Sequence, residues 1–260
     1  MTVRYAFKIA YDGRYYNGFA RQPDQRTVEG EIIRALREEG LMEDPKRAKF
    51  RAASRTDKGV SALGNVIAFD SVKEIKLWNL YELNKRLEGI WFYGIKKVSS
   101  NFYPRHARMR WYRYYMHIDD KFNIEKFLEA CSLFTGKHNF RNFAKIEGKK
   151  NPCRTIENIV IEWRDESTIC LDFFAHTFLR HQVRKLVEAL KKVGREEVDI
   201  FLVKEALNNP SIKIDFGTAE PRNLVLMNVY FDFEFEEDRD FYNEIYRIIE
   251  ELASENYADK

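Results

Sequence analysis

The segment Arg55-Thr56-Asp57-Lys58-Gly59-Val60-Ser61-Ala62 sets one carboxylate between two cations in a glycine-punctuated turn, ahead of the largely apolar run 63–69. A carboxylate kept ionised by Arg55 can act as a nucleophile or a base. The same residues also suit a surface turn in which Asp57 caps its own backbone. Two further segments carry chemistry. In Arg180-His181-Gln182-Val183-Arg184-Lys185, Arg180 and Arg184 share one helical face, which like charges tolerate best beside an anion. Arg184 there faces solvent, Asp57 or a substrate phosphate. In Trp111-Tyr112-Arg113-Tyr114-Tyr115, Tyr112 and Tyr114 fall on one face of a strand, as core filling or as a platform for an unstacked base.

Other chemistries are poorly represented. His176 and His181 lie off a common helical face and no H-E-x-x-H occurs, so no metal centre is expected. The single-glycine turns at Gly13, Gly18 and Gly59 do not make a phosphate-cradling loop, and no cofactor is expected. No second carboxylate stands near Asp57 in the manner of a glycosidase pair. Cys131, Cys153 and Cys170 are odd in number and far apart, which fits a reduced, cytoplasmic setting rather than a disulfide framework. No apolar run approaches the roughly 20 residues of a membrane span.

Charge is strongly polarised along the 260 residues. Residues 1–154 hold 31 Lys and Arg against 18 Asp and Glu, while residues 155–260 hold 13 against 23. Within 100–154 the cations are interleaved with Phe102, Tyr103, Trp111, Tyr112, Tyr114 and Tyr115. That mixture suits a phosphate backbone with stacked, unpaired bases, or else a solvated basic face over a packed strand. The acidic end from Asp232 onwards should face away from a polyanion.

The elements that would position these residues follow from periodicity. Val3, Tyr5, Phe7, Ile9 and Tyr11 alternate as a half-buried strand. Thr27 caps a helix whose stripe of Val28, Ile32, Ala35 and Leu36 ends near Gly40. Strands over 48–53 and 65–69 flank the Asp57 turn, and a helix carrying Leu77, Leu80, Leu83 and Leu87 precedes a strand over 90–98. The order β-α-β-β-α-β is ferredoxin-like. Strands at 111–118, 156–163 and 168–174, helices at 124–135, 178–193 and 198–208, and a strand over 224–235 repeat that order. Residues 136–155 read as a long exposed loop and 241–257 as a terminal charged helix. The expected fold is α+β, two ferredoxin-like halves with abutting sheets around a central basic cleft. The expected divisions are 1–103, with the Asp57 loop, 104–235, and an acidic helix in 236–260.

Taken in order, these residues resemble one family. Tyr11-Asp12-Gly13, Gly18-Phe19-Ala20-Arg21-Gln22 and Thr27-Val28-Glu29 are similar to the opening of the TruA-type tRNA pseudouridine synthases. The Asp57 turn resembles that family's catalytic loop, and Tyr112-Arg113-Tyr114, Arg154-Thr155-Ile156 and Phe178-Leu179 leading to Val183-Arg184 match in the same order. The resemblance runs from about Arg4 to Val229. It implies the pseudouridine synthase fold, a cofactor-free isomerase, a homodimer, and action on uridines 38–40 of the tRNA anticodon stem-loop. Asp57 would be the catalytic aspartate, Arg55 its RNA-engaging neighbour, Tyr112 the tyrosine packing on the target uracil, and Arg184 the basic residue pairing with the aspartate. Arg21, Lys58, Arg105, Arg108, Arg110, Arg113 and Arg180 are the cations expected to meet RNA. Lys58 and Ser61 stand where many bacterial members have Ala and His, and Asn139 where an acid is common. Competing readings are a synthase of the superfamily with other RNA targets, a non-catalytic RNA-binding module, and a hydrolase using Asp57 as nucleophile.

Overall fold

The alternation of Tyr5, Phe7, Ile9 and Tyr11 gives β1 (Val3–Tyr11), the central strand of the first of two units in the computed structural model. The structure describes residues 2–255. The units are Met1–Arg108 with Val225–Lys260, and Met109–Leu224.

In the first unit β1 is followed by α1 (Val28–Glu38), β2 (Arg51–Ala52), β3 (Ser61–Ser71), α2 (Asn79–Lys85) and β4 (Ile90–Lys97). Strand β1 pairs antiparallel with β3 on one side and β4 on the other, and β2 pairs with β3. This 4-1-3-2 order is ferredoxin-like, as the element order implies. One face of the sheet stacks Phe7 on Phe69 at 5.1 Å, with Phe92 edge-on at 5.7 Å. Apolar positions three and four apart give α1 a buried stripe of Val28, Ile32, Ala35 and Leu36. The Thr27 side chain caps α1 by accepting from the Gly30 amide. Helix α2 docks through Asn84, whose side chain both donates to and accepts from the Phe92 backbone.

The C-terminal part of the chain returns to this unit. Strand β10 (Leu224–Tyr230) runs parallel to the start of β3, and β11 (Glu236–Glu237) pairs with the outer edge of β4. The strand expected over 224–235 therefore stops at Tyr230. The chain must pass β3, β1 and β4 to reach the far side of β4, so residues 231–235 cannot remain in a ladder. Their alternate phenylalanines pack together instead, Phe231 on Phe233 at 5.4 Å. Beneath them the buried Lys8 bonds Asn228, lies 3.8 Å from Glu237 and faces the Phe235 ring. Burial lowers its pKa, partly opposed by Glu237. Helix α6 (Arg239–Glu255) lies against β3 and β4 with Ile245 and Ile249 buried. The final residues assigned to a terminal helix, 256–260, lie outside the described residues.

The second unit comprises β5 (Met109–His117), α3 (Ile124–Phe134), β6 (Gly136–Asn139), β7 (Cys153–Ile156), β8 (Asn158–Trp163), β9 (Thr168–Ala175), α4 (Gln182–Gly194) and α5 (Ile200–Asn208). Strand β9 runs antiparallel between β5 and β8. Helix α3 packs on α4, and Phe122 fills the space a side chain at Gly194 would need. The segment expected as an exposed loop over 136–155 is closed at its base by a β6–β7 ribbon and anchored by buried Phe140 and Phe143. These units do not coincide with divisions at 103 and 235, because β10 and β11 pair with strands of the first unit.

Candidate active site

In the first unit, the loop from Ser54 to Val60 joins β2 to β3 and is held at Ser54, Thr56, Asp57 and Val60. Asn65, an amide within an apolar strand, has no exposed surface. Its Nδ2 donates to the Ser54 carbonyl at 3.0 Å, and its Oδ1 accepts from the amides of Ser54 at 3.2 Å and Val66 at 2.8 Å. The same Nδ2 reaches the Tyr11 hydroxyl at 3.3 Å, and that hydroxyl lies 2.8 Å from Thr56 Oγ1. The Thr56 carbonyl accepts from the Phe19 amide at 3.1 Å, and the Asp57 carbonyl closes the turn on the Val60 amide at 3.2 Å.

Glycine is required twice beside this loop. A Cβ at Gly13 would fall 2.4 Å from the Val60 carbonyl group, and Gly59 has φ near +82°, a region L side chains disfavour. The Gly13 amide donates to Ser61 Oγ at 3.0 Å, which gives that buried serine a structural task. The outcome is a half-buried Asp57 between exposed Arg55 and exposed Lys58. A carboxylate so placed can act on a ligand while the loop beneath it stays fixed.

In the second unit, Tyr112 sits on β5 opposite Phe173 of β9, half-buried. The Phe178 ring meets it edge-to-face at 5.3 Å. Tyr114, two residues on, is buried; burial first, then Glu188 and Glu220, push its phenol above the usual range, with Arg184 acting the other way. Arg184, in the first turn of α4, is fixed by a reciprocal pair of bonds. Its Nε donates to the Ala219 carbonyl at 2.7 Å, and its own carbonyl accepts from the Ala219 amide at 3.1 Å. The segment holding Ala219 is itself clamped to α4, since Asp215 accepts from Lys185 at 2.6 Å. Phe216 also stacks on Phe143 at 5.2 Å.

The seven cations set aside for RNA divide into two groups. Arg21, Lys58, Arg105, Arg108 and Arg180 are exposed. Arg108 pairs with Asp232, Arg180 with Glu147 at 2.6 Å, and the Arg21 amide donates to Glu29 at 3.1 Å. Arg110 is buried and donates to the His176 carbonyl. The Arg113 side chain is only 12% exposed and binds Asp172 through Nε at 2.9 Å and Nη2 at 2.7 Å. The reason is register, because Arg113 and Asp172 face each other across β5 and β9. Trp111 Nε1 donates to the same carboxylate at 2.6 Å, so Arg110, Trp111 and Arg113 of the basic-aromatic stretch serve internal structure.

Periodicity and motif spacing did not single out the Tyr11–Asn65–Thr56 set or the Ala219 segment. Asn65 had a signal, a polar residue at a core position of a strand, whereas Ala219 had none. No helix among the described residues is long and apolar enough to cross a membrane.

Comparison with known proteins shows the family. A family model described as tRNA pseudouridine synthase matches residues 130–232. Over 240 residues the chain is 42% identical to tRNA pseudouridine synthase A of Thermococcus sibiricus, covering 91% of this chain and 88% of that protein. It is 42% identical over 239 residues to tRNA pseudouridine synthase A of Pyrococcus horikoshii, covering 90% and 87%. The corresponding protein of Methanobrevibacter smithii is 37% identical over 247 residues, covering 88% and 83%.

Proposed function

The chain belongs to the tRNA pseudouridine synthase A family, an isomerase acting on tRNA uridine, and on that premise we propose that it acts at positions 38, 39 and 40 of the anticodon stem-loop, or a subset of them, with Asp57 as its catalytic carboxylate. The observation that carries this reading is the fixed turn. Asp57 is half-buried between two exposed cations, and its neighbour Thr56 is tied to both Tyr11 and Phe19.

The reaction breaks the bond between uracil N1 and C1′, turns the base, and rejoins it to the sugar through C5. It is redox-neutral and consumes no co-substrate. It requires the uridine out of its stack, at a cost of a few kcal/mol that contacts to the RNA backbone offset. It also requires a carboxylate at the base or sugar that stays in place while the base is detached. Asp57 supplies that carboxylate. Arg55 and Lys58 flank it with positive charge toward a polyanion, Tyr112 packs on the target base, and Arg184 supplies a fixed positive charge. The protein works without a cofactor, in the cytoplasm, as a homodimer, whose mass light scattering would test.

The experiment is pseudouridine mapping of unmodified tRNA by carbodiimide modification and primer extension, with the wild type and Asp57→Asn. The reading requires stops at one or more of the three positions with the wild type. It also requires their loss in Asp57→Asn while tRNA binding stays within about twofold. Full activity of Asp57→Asn would overturn the role of Asp57, and stops elsewhere would move the target site.

A further inference from the structure

The excursion over 137–154, running from within β6 to within β7, carries Lys137, Arg141, Lys145, Lys149, Lys150 and Arg154 against a single acid, Glu147. Its base is rigid. Phe140 and Phe143 are buried, and Asn142 Nδ2 donates to the Ala206 carbonyl at 2.9 Å. Farther out, Lys145 forms an isolated antiparallel bridge with Arg180, its amide donating to the Arg180 carbonyl at 2.9 Å.

Glu147 uses both carboxylate oxygens there. Oε1 lies 2.6 Å from Arg180 Nη1 and Oε2 lies 2.7 Å from Lys150 Nζ. Lys150 first and Arg180 next hold its carboxyl down at about 2, so it is ionised at neutral pH. Lys137, Arg141, Lys145 and Lys149 are exposed, and among the described residues their side chains form no ion pair. A carboxylate offering one oxygen to a guanidinium and one to an ammonium occupies them as the two free oxygens of a phosphodiester would. The paired cations are about half exposed, 49% for Arg180 and 54% for Lys150, so the pairing is weak enough to exchange.

We propose that Glu147 is an internal stand-in for an RNA phosphate, holding Arg180 and Lys150 in the free protein and yielding both cations to the backbone of the bound RNA. The proposal rests on tRNA being the substrate and adds a contact surface to it. The 137–154 excursion is a phosphate-binding finger, and Glu147 sets how strongly it engages. RNA that brings a phosphate to both cations displaces the carboxylate, whereas a weakly placed polyanion does not.

The test measures binding of a fluorescent tRNA transcript across a salt series. The proteins are the wild type, Glu147→Gln, Arg180→Ala and Glu166→Gln, the last an equal charge change at the exposed turn after β8. Glu147→Gln should bind about three- to tenfold more tightly, since it no longer competes for two exposed cations. Glu166→Gln should change affinity by less than about twofold. Arg180→Ala should bind more weakly, with the slope of log K against log salt shallower by about 0.9 for a lost phosphate contact. A salt bridge that only braced the loop would move Glu147→Gln and Arg180→Ala in the same direction, and that result overturns the proposal. So does a Glu147→Gln affinity matching Glu166→Gln. Failure of the wild type to bind tRNA removes the substrate reading and the proposal together. Wild-type binding with an unmoved Glu147→Gln removes the proposal alone.

Discussion

The Tyr11 hydroxyl lies 2.8 Å from Thr56 Oγ1, which ties the end of the first strand to the residue preceding Asp57. Both residues are buried, and the same hydroxyl accepts from Asn65 Nδ2 at 3.3 Å. Tyr11→Phe leaves two buried polar groups without that partner, so urea unfolding should show a loss of about 1–2 kcal/mol. The ring still fills its place, so the loop shifts rather than unfolds. Turnover should fall about tenfold, for a displacement well under a bond length, with the Kd for tRNA unchanged. An unchanged kcat would mean that the hydroxyl does not place Asp57.

Tyr112 meets Phe178 edge-on, a contact of rings rather than of hydroxyls. Tyr112→Phe should therefore retain most turnover, while Tyr112→Ala should lose about a hundredfold through the missing stacking surface, worth about 1–3 kcal/mol per base. Single-turnover assays at saturating tRNA would separate the two. Equal rates for both variants would rule out a packing role.

Arg184 owes its placement to Nε, which Ala219 fixes at 2.7 Å. Lysine keeps the charge but has no planar fork, so Arg184→Lys should lose about tenfold in turnover, and Arg184→Ala more. Arg180→Ala, by contrast, should leave kcat at saturating tRNA unchanged and raise KM. A large fall in kcat for Arg180→Ala would place that residue in the chemistry.

Arg113 and Asp172 form an internal ion pair whose side chains are 12% and 5% exposed. Asp172→Ala leaves the guanidinium with only the exposed Glu162 carboxylate, 2.8 Å from Nη2, and denaturant unfolding should show a cost of about 2–3 kcal/mol. Arg55→Ala should leave stability within about 0.5 kcal/mol, since Arg55 is exposed, and should weaken tRNA binding instead.

Burial pushes the Cys131 thiol up to about 12 and the Cys170 thiol up to about 11, while Cys153 is partly exposed. At pH 8, Ellman's reagent should titrate one thiol rapidly in the native protein and three in denaturant. Two fast native thiols would contradict the burial. The stability tied to these protonated thiols is complete below the unfolded value of 9.0. It declines as pH rises above that value, toward about 11 for Cys170 and about 12 for Cys131.

The sequence by itself determined the local elements and the family. Period-two alternation placed β1, the Val28–Leu36 stripe placed α1, and the turn residues around Asp57 marked the loop between β2 and β3. These are short-range properties, set by which faces of a strand or helix are apolar and by where a glycine is needed. Tertiary structure decided everything that depends on residues far apart in the chain. It turned Arg113 inward, because Asp172 happens to stand opposite it in the β5–β9 register. It ended β10 at Tyr230, because the next strand pairs on the opposite sheet edge. It supplied Asn65 and Tyr11 as the supports of the loop that carries Asp57, Ala219 as the support of Arg184, and Glu147 as the partner of Arg180. A hydrogen bond or ion pair across 30 or 50 residues leaves no periodic trace. Only the folded chain brings those partners within reach.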